Sequence, residues 1–372
     1  MPRSGIRAMM EMAGRMQEVI HLEVGEPNFP TPPHIVEAAC AAAREGYTKY
    51  TPGAGFLSLR EAIGEKLASF NGIRATPDEI VVTPGAVAAM YSALMATVDA
   101  GEEVLIPDPG WPNYEMMVRC LGAIPRRYPL ASSGSFLPQL SELRMLVSSK
   151  TKALILNSPG NPTGSVFPAE VVQGLTSLAA EADLYLISDE IYESLIYEGK
   201  HVSPAALSRD GNVITVSGFS KTYAMTGWRV GYAVAARPVA ELMAKLQEPI
   251  VSCASAVSQK AAEAALRGEQ DTVEMMRRAY MSRRDAALTL LAERGIRAVS
   301  PHGSFYLMIK LGPDQTDSLS FALRLLERRH VAVAPGSTFG RQSEGWIRVS
   351  LATEMDPLLR GLDAIASEIF SQ

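Results

Sequence analysis

The sequence predicts an α/β fold with a large, mostly parallel sheet covered by helices, plus a second, smaller α/β unit. Three observations carry this expectation. Short apolar runs without polar alternation recur between residues 80 and 234, as strands covered on both faces do. Segments of helical period separate several of them. From about residue 270 the pattern changes to a long polar helix, ending near Arg294, and then to shorter, alternating strands. At 372 residues the chain exceeds one ordinary hydrophobic core, so two domains sharing a cleft are expected.

Taken in order, the first clear element lies between Ser58 and Phe70. Leu59, Ile63 and Leu67 fall on one helical face, Ser58 and Glu61 are spaced as a capping box, and Asn71-Gly72 closes the segment. The stretch EIVVTPGAVAAMYSALMATVDAGEEVLIPDPGW reads as strand, glycine turn, apolar helix, glycine stop and second buried strand, a βαβ unit. Further buried strands are expected at Ala153–Asn157, Tyr185–Asp189, Val213–Gly218 and Val230–Val234, with AEVVQGLTSLAAEAD as an intervening helix. Near the carboxyl end, helices are expected at Ser318–Arg329 and Met355–Phe370, and a strand at Trp346–Leu351. In that strand Ile347, Val349 and Leu351 share one face, and Trp346, Arg348 and Ser350 the other.

Composition narrows the class of function. With 47% hydrophobic and 20% charged residues, 29 Gly and 24 Pro, the chain should fold by burial and carry many turns. A net charge of -5 gives no general attraction for nucleic acid or an anionic membrane, so a small-molecule partner is expected. Cys40, Cys120 and Cys253 lack metal-ligand spacing and are read as buried thiols in a reducing cytosol, with no metal expected. MPRSGIRAMMEMAGRM carries charges where a signal peptide needs an apolar core, and no run is long enough to span a bilayer. A cytoplasmic location is expected.

Ligands on open parallel sheets bind beyond the carboxyl ends of the strands. There the sequence places Ser158-Pro159-Gly160-Asn161-Pro162-Thr163-Gly164, then Asp189-Glu190-Ile191-Tyr192, then Lys221. Singly, these are a turn, a helix cap and a surface lysine. Together they are more specific. A buried amine is a candidate imine former, and a carboxylate at a buried strand end needs a cationic partner such as a pyridinium nitrogen. A phenol and an amide can both hydrogen-bond a ring oxygen. Gly85-Ala86-Val87 opens an apolar helix directly after a strand, where backbone N–H groups and the helix dipole favour a phosphate. Arg348, on a mostly buried strand, needs an anion.

With Gly25-Glu26-Pro27-Asn28-Phe29-Pro30-Thr31-Pro32 at one end, Trp228-Arg229-Val230-Gly231 after the lysine and Ile347-Arg348-Val349-Ser350 at the other, the ordered set resembles the class I/II aminotransferases of the aspartate aminotransferase fold. The resemblance covers nearly the whole chain. It implies pyridoxal phosphate held as a Schiff base on Lys221, which then moves the substrate α-proton. It implies Asp189 on the pyridinium nitrogen, Tyr192 and Asn161 on the ring 3-oxygen, and Arg229 with Gly85, Ala86 and Val87 on the phosphate. Trp111 is implied against the ring face, Arg348 and Gly25 on the substrate α-carboxylate, and Tyr50 on the phosphate of a neighbouring subunit in a homodimer. It also implies a large domain, 34–280, and a small domain built from both chain ends, 1–33 and 281–372.

Two positions depart from relatives. Gly218 stands where some carry a phosphate-binding serine, with Ser217 and Ser220 on either side. Val87 stands where some aspartate-selective relatives carry a lysine. The function expected is amino transfer between an L-amino acid and a 2-oxo acid, with glutamate/2-oxoglutarate as one pair. Two alternatives are a β-lyase using the same cofactor and a non-catalytic ligand-sensing domain of the kind attached to helix-turn-helix segments. No basic segment precedes the fold to favour the latter.

Overall fold

A computed structural model describes residues 5–131, 135–208, 210–312 and 315–371. The first four residues and Gln372, which belong to the expected small domain, lie outside the described residues. The main sheet has eight strands, in the order Ile80–Thr83, Gly231–Val234, Val213–Gly218, Tyr185–Asp189, Thr151–Asn157, Glu103–Asp108, Ile124–Ala131 and Leu137–Pro138. Gly231–Val234 and Leu137–Pro138 run against their neighbours, and the pairings among the middle strands are parallel.

The unalternating apolar runs have a direct physical cause. Ala153 and Ile155 enter one core with Ala89, Leu94 and Ile187, whereas Leu154 and Leu156 enter another with Val172, Leu175 and Leu186. Both faces of the sheet are covered, so successive side chains are apolar. Parallel pairing also brings the strand ends to one edge. Asn157 stands in register with Asp189, and Asp189 with Val216.

Three expectations need correction. The strands Ile80–Thr83 and Glu103–Asp108 flank the helix Ala86–Thr97 as read, but four strands separate them in the sheet, so they are not a neighbouring βαβ pair. Local periodicity carries no information about which strands become partners. The helix at 58–70 is Leu57–Lys66 continued by a π-turn, Leu67–Asn71. Its start is Phe56, without a side-chain cap, and Ser58 donates instead to Glu263 at 2.8 Å. The capping box of this region is Thr76 with Glu79. Cys40 and Cys120 are exposed and Cys253 is half-buried, because on the helix that carries Cys40 the buried face is Ile35, Ala39 and Ala42. The strand expected around Arg348 is present as Trp346–Ser350, and all five residues are buried.

The two chain ends meet around a separate apolar core. Ile20–His21 pairs in parallel with Val331–Ala332. A four-stranded sheet orders Ala298–Val299, Tyr306–Lys310, Trp346–Ser350 and Ala334–Pro335. Leu307, Ile309, Ile347 and Val349 from this sheet join Leu325 and Leu362 of the helices Ser318–Arg329 and Met355–Ile369. Among the described residues, no helix is long and apolar enough to cross a membrane.

One glycine fixes how strand and phosphate-type turn approach each other. A Cβ on Gly231 would lie 2.4 Å from the Ala86 nitrogen and 2.7 Å from the Gly85 carbon, backbone atoms that cannot rotate away. Gly231→Ala is expected to cost about 1–3 kcal/mol in urea unfolding, as overpacking does. Gly227→Ala is the control, because nothing lies within 4 Å of its added Cβ. Equal midpoints for the two variants would contradict this account of the packing.

Candidate active site

A cavity of about 300 Å³ opens at the carboxyl edge of the main sheet, where it faces the small-sheet core. Lys221, Asp189, Tyr192, Asn161, Trp111, Ala86, Val87, Arg229, Gly25 and Arg348, all singled out in the sequence, line it. Gly85 sits just behind, with φ 83, and a Cβ there would come 2.5 Å from Arg229 Nη2. Tyr50 is not among them. It is 86% exposed and borders a different depression with Val251 and Cys253.

Lys221 Nζ donates to the Gly25 carbonyl at 2.6 Å. Burial is the main cause that lowers its pKa, to about 8, with Glu26 opposing and Arg348 and Arg229 assisting. A carbonyl partner leaves the ammonium without a bonded counter-charge, which is the condition under which burial wins. Asp189 is raised to about 6, again chiefly by burial, although the hydrogen bond from Tyr114 opposes the shift. Tyr114 Oη donates to Asp189 Oδ2 at 2.6 Å, and Asn157 Nδ2 donates to the Asp189 carbonyl at 3.0 Å. A cation placed before this carboxylate would draw its pKa back down.

Arg348 is 1% exposed and stacks its guanidinium 4.2 Å above the Tyr306 ring and 4.9 Å from that of Phe339. Nη1 donates to Asn161 Oδ1 at 3.0 Å and Nη2 to the Glu23 carbonyl at 2.5 Å, while buried Nε has no partner. Both acceptors are neutral, and burial lowers the pKa of the group. The site therefore holds a buried cation prepared for an anion. Tyr192 Oη lies 2.9 Å from Tyr306 Oη. Gly25 has no room for a side chain, since a Cβ would approach Tyr306 Oη.

The turn after Tyr185–Asp189 divides its residues between two sides, and Ile191 is on the cavity side. Asp189 and Tyr192 face the cavity, whereas Glu190 and Glu193 enter a buried polar network behind it. Lys66 Nζ lies 2.5 Å from Glu193 Oε1, and Asn71 Nδ2 and Ser217 Oγ donate to the same carboxylate at 2.6 and 2.8 Å. Glu190 accepts from Ser188 at 2.8 Å and Ser203 at 2.5 Å, and lies 2.7 Å from His201 Nε2. Burial opposes the charge on Lys66, but Glu193 and Tyr232 outweigh it and hold its pKa well above the usual lysine range. Glu190, Glu193 and His201 are close enough to share a metal ion, but the Lys66 ammonium already neutralises Glu193. Ser217 is thus committed to this network, whereas Ser220 lines the cavity.

Sequence reasoning missed Tyr114, Tyr306 and Asn157, and also Ile6, Arg7 and Met10 of the helix Gly5–Ala13. Tyr114 was accessible in principle, because it lies in the first turn of the helix Pro112–Cys120 that directly follows Trp111. Its ring meets Trp111 edge-on at 5.3 Å. Tyr306 emerges only from register, since it pairs with Ser350, one step along the same face from the Met308–Arg348 pair.

The comparisons with known proteins agree across the chain. The family model for aminotransferase class I and II matches residues 17–365. The aspartate/prephenate aminotransferase of Thermus thermophilus is 40% identical over 96% of this chain and 92% of its own. The aspartate aminotransferase of Pyrococcus abyssi is 43% identical over 97% of this chain and 94% of its own. The solved structure of the Thermus thermophilus aspartate aminotransferase with maleate superposes with a TM-score of 0.95, at 39% identity, covering 99% of this chain and 97% of that one.

The depressed pKa of Lys221 has a direct test in the protein without added ligands. The folded-state value near 8 lies below the ordinary 10.5, so the neutral, reactive amine accumulates as pH rises through about 8. Labelling with an amine-selective acylating reagent, mapped by peptide mass, is expected to show a midpoint near pH 8 at Lys221. Exposed lysines should titrate near 10. A Lys221 midpoint among theirs would contradict the burial argument.

Proposed function

The chain belongs to the class I and II aminotransferases, which work with pyridoxal phosphate, and on that premise we propose that it exchanges amino groups between an L-amino acid and a 2-oxo acid at the cavity around Lys221, with glutamate/2-oxoglutarate as one pair. The convergence of Lys221, Asp189 and Arg348 on one cavity carries the reading. The relatives' aminotransferase names lend no support to the elimination alternative.

The residues present fit the cofactor. Asp189 offers a buried carboxylate in the cavity lining, and Gly85 leaves space where a Cβ would strike Arg229. Arg229, Ser220 and the N–H groups opening the helix Ala86–Thr97 would hold the phosphate, Asp189 the pyridine nitrogen, and Tyr192 with Asn161 the ring oxygen. Trp111 would cover the ring face. When bound, pyridoxal phosphate supplies an aldehyde that condenses with amines and a pyridinium ring that accepts electrons released at the substrate α-carbon.

The chain's own groups supply the rest. Lys221 Nζ would hold the cofactor and, once free, would carry the proton taken from the substrate α-carbon. Burial, which lowers its pKa, favours the neutral amine that such a transfer needs. Arg348 grips the α-carboxylate with two nitrogens, a geometry guanidinium provides and ammonium does not. Gly25 brings backbone to the same carboxylate, and Asn161 orients both the ring and Arg348. Tyr114, through its bond to Asp189, is a positioning residue.

The proposal extends to the assembly. A homodimer would bring the exposed Tyr50 ring to a neighbouring phosphate, and the flanking apolar residues Ile250 and Val251, 52% and 41% exposed, give such a contact something to bury. The segments 1–33 and 281–372 would form a small domain over the larger 34–280, in a cytoplasmic enzyme.

Purified protein loaded with pyridoxal phosphate is expected to absorb visible light, to bleach when an amino donor is added and to recover with a 2-oxo acid. Lys221→Ala should lose this turnover, and Arg348→Lys should raise KM for all donors by about tenfold or more, the loss of one charge-assisted hydrogen bond. Full cycling by Lys221→Ala would refute the assignment.

A further inference from the structure

One strand end at the carboxyl edge of the main sheet carries a charged group that the chemistry proposed above does not use. Asp108 closes the strand Glu103–Asp108, is 5% exposed and lies outside the cavity lining. Its carboxylate reaches instead toward the chain of the smaller sheet. Oδ2 accepts from the Arg341 backbone N–H at 3.2 Å, and Oδ1 from that of Gln342 at 3.1 Å. Those two amides open the 3-10 turn Arg341–Ser343, where the turn itself supplies them no acceptor.

The residues just before this turn are fastened to the same edge. The Phe339 carbonyl accepts from the Gly110 N–H at 2.9 Å and from Arg127 Nη1 at 3.2 Å, and Arg127 Nη2 donates to Glu115 at 2.5 Å. Gly340 has φ 137, and a Cβ there would overlap Asp108 Oδ1. Only glycine lets the backbone come this close to the carboxylate in that conformation.

What these bonds place is a ring. Phe339 is fully buried, and its ring lies 4.9 Å from the Arg348 guanidinium, which Tyr306 meets at 4.2 Å. Arg348 Nε has no partner, so the two rings, Asn161 and the Glu23 carbonyl are what set the plane of the group. A two-pronged grip on a carboxylate depends on that plane.

On the function proposed above, from which this inference proceeds, Arg348 holds the substrate α-carboxylate. We propose that Asp108, with Arg127, is a positioning residue for that contact: the pair clamps residues 339–342 to the main sheet, and Phe339 transmits the clamp to the plane of Arg348. A carboxylate suits the task because it only accepts, and so meets two N–H groups at once. An amide of the same shape would turn a donor toward one of them.

The test uses the holoenzyme, the variants Asp108→Asn and Phe339→Leu, and two amines that differ only in the α-carboxylate, L-phenylalanine and 2-phenylethylamine. Single-turnover bleaching gives kcat/KM for each. In Asp108→Asn the ratio of L-phenylalanine to 2-phenylethylamine is expected to fall about tenfold, mainly through KM, and Phe339→Leu should reproduce the fall. Asp108→Asn added to Arg348→Lys should lower the ratio little further, since residues acting through one contact are not additive. Equilibrium binding supplies a readout apart from turnover: 3-phenylpropanoate, which has the carboxylate and no amine, should bind Asp108→Asn more weakly than wild type by a similar factor. Because each ratio is taken within one variant, a smaller folded fraction cancels from it. An equal loss for both amines would mark Asp108 as merely structural and overturns the inference, as does an unchanged ratio or a full additional loss on the Arg348→Lys background. Failure of the underlying reading looks different, because wild-type enzyme would then bleach with no donor at all, and the inference falls with it.

Discussion

The ion pair between Lys66 and Glu193 holds the turn on which the cavity depends. Three residues of that turn, Asp189, Ile191 and Tyr192, line the cavity, and Glu190 and Glu193 are pulled the other way into a network with Asn71, Ser203, His201 and Ser217. Burying two carboxylates is unfavourable unless cations and donors meet them. Here the compensation comes from several chain segments at once, and Ser217 belongs to the strand that leads to Lys221. The same bonds that neutralise Glu193 therefore register the strand end bearing Asp189 against the one preceding the lysine.

On the cavity side the opposite condition holds. Arg348 keeps Nε unpartnered and donates only to an amide and a carbonyl, and Lys221 donates to a carbonyl. Groups left this way raise the energy of the empty site, and ligand binding relieves it. Rigid burial behind the turn and unmet charge before it are complementary: the first fixes the positions that the second needs. Preorganisation of this kind is a general source of rate enhancement, because the protein does not reorient its dipoles during reaction.

The sequence made much of this legible, but unevenly. Strand ends at Asn157, Asp189 and Gly218 could be read because burial on both faces leaves long apolar runs that stop where polar chemistry starts. The role of Tyr306 could not be read, since it depends on pairing with a strand 40 residues away. The placing of Ser217 depended on Lys66 and Glu193, whose attraction leaves no local pattern. The capping box at Ser58 and Glu61 failed for a related reason: a better partner, Glu263, arrives from a distant helix. Exposed Cys40 shows that residue type predicts burial poorly where a helix has only one covered face.

The chain before Pro27 borders the cavity. Within a short stretch it supplies the Gly25 carbonyl to Lys221, the Glu23 carbonyl to Arg348 and, through the helix Gly5–Ala13, part of the cavity lining. None of these residues belongs to the main sheet. The segment before Pro27 is therefore a tether between the small-sheet core and the two buried cations of the cavity, and a shift in it reaches Lys221 and Arg348 through their carbonyl partners.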